Sequence, residues 1–300
     1  MNVSSVKEPA WSMDLPPERR LVLQRLFKRL SAFQSLPSTG QQILSLTERG
    51  TSSPDELRAV IQCDPVLVAR IFRRLNSPYF GLSQKVMDIK TALELLGDRE
   101  IRNLALTIFV SKFYEAEGDH HKYRREGLWS HSVSVGAAAR LVSRVCGKAA
   151  PEEAYLAGLL HDIGLIVIDQ TLRKHFCQML DALTPDVRTC DVEHRILSFD
   201  HAALGGFIAQ EWNFPDPVAD AITFHHQPDL YRGKNVELVD VVAVANYLCS
   251  RAGRTSLGVH NVATPSDETF ARLDLDQVTL AIIWDELEST LEKADLLAAD

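Results

Sequence analysis

Residues 159–164 read LLHDIG, so that a histidine and an aspartate stand side by side at the end of an apolar run. His161 and Asp162 are both metal-ligating types, and imidazole with carboxylate suits Mn, Fe, Zn or Ni. Neighbouring side chains diverge by about 100° on a regular helix, so the pair can serve one site where a helix ends. Gly164, two residues on, predicts such an end. The dipeptide is therefore the first candidate for a metal site.

Further histidines could complete this site, and each lies beside the apolar stripe of a predicted helix or at its end. They are His131, His201, His225 and His226. One inward-facing histidine taken alone is more often a hydrogen-bonded core residue than a ligand. Five histidines with one aspartate favour metal binding over coincidence, and the set could hold one or two divalent ions.

The elements that must position these residues are helices. Apolar residues recur at three- and four-residue steps along most of the chain, and no stretch alternates with period two for long enough to predict a strand. Asp64-Pro65 and Asp200 are helix-start signals. The sequence therefore predicts an all-α fold. The predicted helices near the site are 128–145, 152–160, 202–212 and 217–226, and those before it include 18–35, 91–96 and 99–114.

The chain divides at the polar segment 115–121, which predicts a boundary between a front and a rear half. We expect an N-terminal extension over 1–24, a front half over 25–118, a rear half over 119–255 and a helical tail over 256–300. The tail contains an amphipathic stretch, Leu273 to Leu297. This stretch predicts a helix that caps the rear half, with self-association as the alternative. The oligomeric state stays open.

Composition and charge narrow the function classes. The 300 residues are 46% hydrophobic with a formal net charge of -8, which argues against a nucleic acid or an anionic membrane as the partner. No apolar run approaches the ~18 residues that a membrane span needs. The five cysteines show no CxxC spacing, which is typical of free thiols in a reducing compartment. These features predict a cytoplasmic protein.

The order of these motifs resembles the HDOD family, bacterial signalling proteins related to the HD-GYP phosphodiesterases of the HD superfamily. The resemblance covers about residues 25–255 and is carried by DPVL at 64–67, NSPYFG at 76–81, LLHDIG at 159–164 and FDHAALG at 199–205. It implies a multi-helix fold with an N-terminal helical half and an HD-like second half. It also matches six residues to metal-ligand positions of the HD-GYP relatives: His131, His161, Asp162, His201, His225 and His226.

Three departures from the hydrolases bear on activity. The position of their late, metal-binding aspartate is held by Asn246, a neutral oxygen donor that we keep as a candidate ligand. Leu165 stands where they usually carry a lysine that contacts phosphate. There is no GYP segment after His226. With a negative charge lost, the site would hold a divalent ion less firmly and acidify its bound water less.

Two functions follow as expectations. The first is a signal-transduction module without efficient hydrolase activity, which binds a protein partner and a divalent metal or a nucleotide. The second is a metal-dependent phosphohydrolase acting on a nucleotide or cyclic dinucleotide. Tyr79 and Phe80 are either part of a recognition loop for the partner or a plug between the two halves.

Overall fold

A computed structural model describes residues 38–48, 54–115, 120, 123–258 and 262–299 of the chain. Over these residues every regular element is a helix, apart from an isolated bridge between His120 and Tyr123. The predicted all-α class is confirmed. The predicted helix 18–35 and the extension 1–24 lie outside the described residues.

The helices of the front half are α1 (Ser38–Glu48), α2 (Pro54–Gln62), α3 (Pro65–Leu75) and α4 (Ile89–Ser111). Those of the rear half are α5 (Arg125–Cys146), α6 (Pro151–Leu160), α7 (Ile163–Thr171), α8 (Arg173–Ala182), α9 (Thr189–Leu197), α10 (His201–Glu211), α11 (Asp216–Phe224) and α12 (Val236–Arg251), with a 3₁₀ turn at Pro228–Leu230. The tail forms α13 (Asp267–Arg272) and α14 (Gln277–Ala299).

Local sequence signals account for several helix boundaries. The Asp64 carboxylate accepts hydrogen bonds from the backbone N–H groups of Val66 and Leu67, and Pro65 fills the first position of α3. Asp200 caps α10 in the same way through Ala203. Gly97 has a φ of 80°, so α4 is bent between the two helical stretches that the sequence predicts.

Helix α5 is the centre of the rear half, where α6, α12 and α14 pack against it. The contact between α5 and α6 is very close, because a Cβ on Gly158 would lie 2.7 Å from the carbonyl oxygen of Val135. Glycine therefore lets two backbones meet here. This antiparallel pair brings His131, near the start of α5, to His161 at the end of α6.

An ion pair joins the two halves. Arg140 of α5 makes two hydrogen bonds to the carboxylate of Glu100 on α4, at 2.7 and 3.1 Å. The guanidinium also stacks on the ring of Tyr155, 4.4 Å from its centroid. Half-buried Tyr79 lies close to the same group, and burial raises the pKa of Tyr79 although nearby Arg140 lowers it. The NSPYFG segment therefore lies at the junction of the halves.

The tail differs from the predicted helix at its start. A single helix was expected from Leu273, but α14 begins at Gln277. Asp274 has a positive φ of 54°, and the Asp276 carboxylate accepts a hydrogen bond from the N–H of Thr279 at 2.8 Å, which caps the helix there. The apolar residues 273 and 275 are buried before the helix starts, so their hydrophobic pattern extended the prediction too far.

No single helix among the described residues is both long and apolar enough to cross a membrane. Two stretches, Pro151–Thr171 and Arg173–Ala182, would together be long enough, and they meet at an angle of 116°. Most side chains of the first stretch are buried in the core.

Candidate metal centre

The turn between α6 and α7 consists of His161 and Asp162. The backbone changes direction at Asp162, whose φ and ψ are -99° and 15°, so these neighbouring side chains reach the same site. The sequence placed the helix break at Gly164, and this was wrong, because Gly164 lies inside α7. Its role is close packing: a Cβ there would lie 2.0 Å from the carbonyl oxygen of His201.

Asp162 lies at the centre of the histidine cluster, and its two carboxylate oxygens face different histidines. Oδ2 is 3.5 Å from Nε2 of His131 and 3.3 Å from Nε2 of His161. Oδ1 is 3.1 Å from Nε2 of His201 and 3.7 Å from Nε2 of His225. Asp162 and these four histidines are all at most 3% exposed, so the cluster is buried.

The rings of three histidines are oriented by backbone carbonyls. Their Nδ1–H groups donate to the oxygens of Arg254, Gly158 and Ile222, at 2.9, 2.7 and 2.7 Å, from His131, His161 and His225 respectively. A carbonyl oxygen can only accept, so the proton is on Nδ1 and the lone pair of each Nε2 points into the cluster. Metal-ligating histidines are held in this way in proteins.

His201 is oriented by a carboxylate that the sequence did not single out. Glu193 on α9 is fully buried, and its oxygens lie 2.8 Å from Nδ1 of His201. The carboxylate also accepts the His201 backbone N–H at 3.1 Å. Glu193 precedes His201 by eight residues on a different, nine-residue helix, so no periodic pattern links the two.

The donor atoms fit a divalent ion. His131 Nε2 and His161 Nε2 are 3.2 Å apart, and since both carry lone pairs, they repel unless a cation lies between them. Ligand atoms at about 2.1 Å from one ion are roughly 3.0–3.4 Å apart at octahedral or tetrahedral angles. Two other buried atoms that could ligate a metal, His225 Nε2 and Asn246 Oδ1, have no hydrogen-bond partner among the described residues.

The structure thus brings six of the seven candidate residues into direct proximity, in two groups that share Asp162. One group adds His131 and His161, and the other adds His201, His225 and His226. His226 joins through its Nε2, 3.0 Å from Nε2 of His201. The seventh, Asn246 on α12, lies beside His131 and lines the same cavity as Asp162. Metal ligation by this set stays a prediction.

Burial favours the neutral form of most of these imidazoles. It lowers the pKa of His131 to about 4 and that of His226 to about 3, with neighbouring histidines adding to the effect. The pKa of His225 is lowered well below its usual value for the same reasons. Burial also opposes the charged forms of His201 and Asp162, but neighbouring charges outweigh it. The Glu193 carboxylate raises the pKa of His201. His161 and His201 lower the pKa of Asp162. At neutral pH most of the cluster is therefore in the form that binds metal.

We expect the metal-free protein to lose stability as the pH falls from about 7 to about 4.5. Free histidine titrates near pH 6.5. Below this pH the histidines of the unfolded chain become protonated, whereas buried His131, His225 and His226 stay neutral in the folded state. His201 has a raised pKa, so its stabilising contribution grows as the pH falls through 6.5 and is complete only below that pH. Glu193 also has a raised pKa, which favours the folded state towards lower pH, so two groups oppose three.

The measurement is the melting temperature of chelator-treated protein across this pH range. A His131→Phe variant, which cannot titrate at that position, should show a shallower fall than the wild type. A melting temperature that is constant or rises towards pH 4.5 would contradict the expectation.

A cavity connects the cluster with the surface. Its wall includes Asp162, His201 and His226 from the cluster, and Arg188, Thr189 and Cys190 from the start of α9. Arg188 is about half exposed and pairs with Asp191 at 2.9 Å. Leu165, one of the departures expected from the resemblance, is 1% exposed and belongs to the apolar core.

A helical fold that gathers histidines from several helix ends around a His-Asp turn is that of the HD superfamily. Within it, the HDOD domain model matches residues 33–228, and the chain belongs to the HDOD family. The matched range ends before Asn246 and before the tail.

Solved structures share the fold over most of the chain. An HDOD domain protein of unknown function from Geobacter sulfurreducens has a TM-score of 0.79 at 22% identity, covering 93% of this chain and 98% of that chain. A proposed signal transduction protein from Marinobacter aquaeolei VT8 has a TM-score of 0.78 at 22% identity, covering 93% and 64%. A proposed phosphohydrolase from Shewanella amazonensis SB2B has a TM-score of 0.70 at 21% identity, covering 92% and 98%. At these identities the similarity shows the fold alone.

A curated relative from Treponema pallidum (strain Nichols), described as an uncharacterized protein, is 28% identical over 228 residues. The match covers 73% of this chain and 42% of the relative, so the chain spans less than half the length of that protein.

Proposed function

We propose that this protein is a signal-transduction module of the HDOD type that binds a divalent transition metal through the Asp162 cluster and does not hydrolyse phosphate esters efficiently. The proposal is carried by buried Asn246, a neutral amide at the position to which the resemblance assigns the hydrolases' metal-binding aspartate. In this proposal, metal binding stabilises one conformation of the module, and a protein partner binds that conformation.

The charge of the cluster supports this assignment. Asp162 is the one carboxylate among the seven candidate residues. Glu193 contacts Nδ1 of His201 and forms a separate group with Cys190 and His201. Two divalent ions would bring four positive charges to the Asp162 cluster, whose candidate ligands offer one negative charge, and the low dielectric of a buried site makes that imbalance costly. The charge of a single divalent ion is more nearly neutralised by the one carboxylate of Asp162. The neutral amide of Asn246 attracts an ion less strongly than an aspartate would, and this difference is largest beside His131.

The alternative, a metal-dependent phosphohydrolase, is favoured by the cavity. When bound, a divalent ion holds phosphate oxygens and lowers the pKa of a water molecule. Thr189 and half-exposed Arg188 line the cavity that leads to Asp162, and could contact a phosphate group. A nucleotide or cyclic dinucleotide is the ligand class that this arrangement fits. Without efficient turnover, the same residues would serve as a nucleotide-binding site.

The experiment that separates these functions begins with metal analysis of protein purified without chelator. The protein is then loaded anaerobically with Fe(II) or Mn(II) and incubated with a panel of nucleotides and cyclic dinucleotides. The matched control is the double variant His161→Ala, Asp162→Ala. We expect bound transition metal and no turnover above the control. Turnover above the control would establish the hydrolase, and an absence of bound metal would remove the metal from the proposal.

Asn246→Asp is expected to strengthen metal binding, because it restores a negative charge beside His131. In a metal titration, we expect the step with the highest Kd to have about a tenfold lower Kd in the variant, and the metal-to-protein ratio after dialysis to be higher. Asn246→Leu, similar in size but without a donor atom, is the control and should not gain affinity. Equal affinities of the Asp variant and the wild type would show that residue 246 is not near the ion.

The double substitution Tyr79→Ala, Phe80→Ala tests whether the aromatic loop contacts a partner. Both side chains are half-buried against the core, and their rings meet edge to face at 4.8 Å between centroids. We therefore expect a loss of stability of about 3 kcal/mol or more, measured by urea unfolding, as for other aromatic core truncations. Unchanged stability would assign these residues to the recognition surface instead.

A further inference from the structure

The last turns of α14 contact the residues around His131, although α14 lies outside the part of the chain that matches the HDOD family. The Asp295 carboxylate lies between two groups: Arg254 Nη2 donates to Oδ2 at 2.6 Å, and Ser130 Oγ donates to Oδ1 at 3.3 Å. Close by, Trp129 Nε1 donates to the carbonyl oxygen of Ala298 at 3.2 Å. The tail thus holds the two residues that precede His131.

Arg254 is also the residue whose carbonyl oxygen accepts the Nδ1–H of His131. Its backbone is fixed to the end of α12, since the Arg254 N–H donates to Cys249 O at 2.9 Å across Gly253, which has a φ of 82°. This arrangement is a common helix C-terminus, with glycine in the left-handed conformation. Helix α12 also carries Asn246, so this helix and the turn that follows it supply both an amide and a carbonyl beside His131.

These contacts form a continuous connection from the tail to the cluster. The Arg254 carbonyl sets which nitrogen of His131 carries the proton and how the ring is turned. The Asp295 carboxylate holds Arg254 on one side and the residue before His131 on the other. Because the Arg254 backbone is fixed to α12, a shift of Asp295 would move Ser130, and with it the His131 ring, relative to the Arg254 carbonyl, and the Nε2 lone pair would turn away from Asp162 and His161.

We propose that Asp295 and Arg254 are positioning residues for His131, and that the docking of α14 on α5 is energetically coupled to metal binding. The inference rests on the proposed function, since it requires that the cluster binds metal. Coupling of this kind is reciprocal: metal binding stabilises the docked tail, and any partner that moves the tail weakens metal binding. A partner that binds the tail would then change the metal affinity of the cluster, and metal binding would change how firmly the tail is docked.

The test uses Co(II) alone as the probe, with binding followed by calorimetry and by its visible spectrum. His131→Ala first identifies which binding step depends on His131. Asp295→Asn should weaken the same step about three- to tenfold, because it acts through Arg254, whereas loss of a group that hydrogen-bonds a metal ligand directly typically costs 10- to 100-fold. We also expect the Co(II) spectrum at saturation to differ from that of the wild type. Asp285→Asn, on an exposed position of the same helix, is the matched control and should leave both unchanged.

The results separate the two proposals. If the wild type binds no Co(II), the metal part of the proposed function fails and this inference fails with it. If the wild type binds but Asp295→Asn has the same affinity and spectrum, only the inference is overturned, and the same holds if His131→Ala changes no binding step.

Hydrogen exchange of the wild type gives a second measurement in case Asp295→Asn does not fold. Residues 277–299 should exchange more slowly with Co(II) than without it. Equal exchange rates would overturn the coupling.

Discussion

Asp162→Asn is expected to abolish the retention of a transition metal while the protein stays folded. The substitution keeps the size of the side chain but removes the negative charge at the centre of the cluster. Asp162 Oδ1 and Oδ2 together face four histidines within 3.7 Å, so every arrangement of one or two ions in this cluster uses this carboxylate. Loss of a partner behind a ligand weakens binding 10- to 100-fold, so loss of this ligand's charge should cost at least about 100-fold.

The measurement is the metal-to-protein ratio after dialysis, together with the rise in melting temperature on adding Mn(II). Ligand binding to the folded state raises stability by RT ln(1 + [L]/Kd), so this rise should disappear in a variant whose Kd exceeds the Mn(II) concentration. Asp186→Asn removes a carboxylate from an exposed position and should behave like the wild type. If Asp162→Asn retained metal as the wild type does, the cluster would be a hydrogen-bonded histidine core instead.

The fold and the histidines and aspartate of the cluster were accessible from the sequence because local signals encode them. Asp64-Pro65 and Asp200 start helices through their own side chains, and these contacts involve residues two or three positions apart. The histidines could be placed on the inner faces of helices because the apolar periodicity around them is regular. His131 and His161 could be paired because a short connection between two helices makes them antiparallel.

The parts that orient the cluster were not accessible, because backbone atoms and distant side chains supply them. Every residue has a carbonyl group, so nothing in the type of Arg254 indicates that its oxygen accepts from His131. Glu193 lies on a separate helix from His201, and Asp295 is 41 residues from Arg254. These contacts depend on how helices pack, and the sequence pattern determines only which face of each helix is buried.

The role of Gly164 shows the same limit at a single residue. Glycine near the end of an apolar run is commonly a helix terminus, so the sequence favoured a break there. The break occurs instead at His161 and Asp162, where the Gly158 carbonyl holds the ring and the carboxylate faces histidines of other helices. Gly164 is needed because α7 and α10 meet backbone to backbone, and this contact is visible only when both helices are in place.

Gly164→Ala is therefore expected to destabilise the protein severely. The added Cβ would lie 2.0 Å from the carbonyl oxygen of His201 and 2.8 Å from its carbonyl carbon, and backbone atoms cannot rotate away as a flexible side chain can. Helices α7 and α10 must separate to relieve the contact. Overpacked core substitutions commonly cost about 1–3 kcal/mol, and a backbone clash this close should reach or exceed about 3 kcal/mol. That is a large part of the roughly 5–15 kcal/mol that holds most domains folded.

Gly127→Ala is the matched control, because Gly127 lies in helix α5 and a Cβ there would meet no atom within 4 Å. Alanine is the better helix former, so this variant should be as stable as the wild type or slightly more so. Urea unfolding of both variants measures the difference. In any Gly164→Ala protein that folds, the displaced α10 should carry His201 away from Asp162, so metal affinity should fall together with stability. Wild-type stability in Gly164→Ala would mean that α7 and α10 are farther apart than described, and that His201 is not held against Asp162 by this contact.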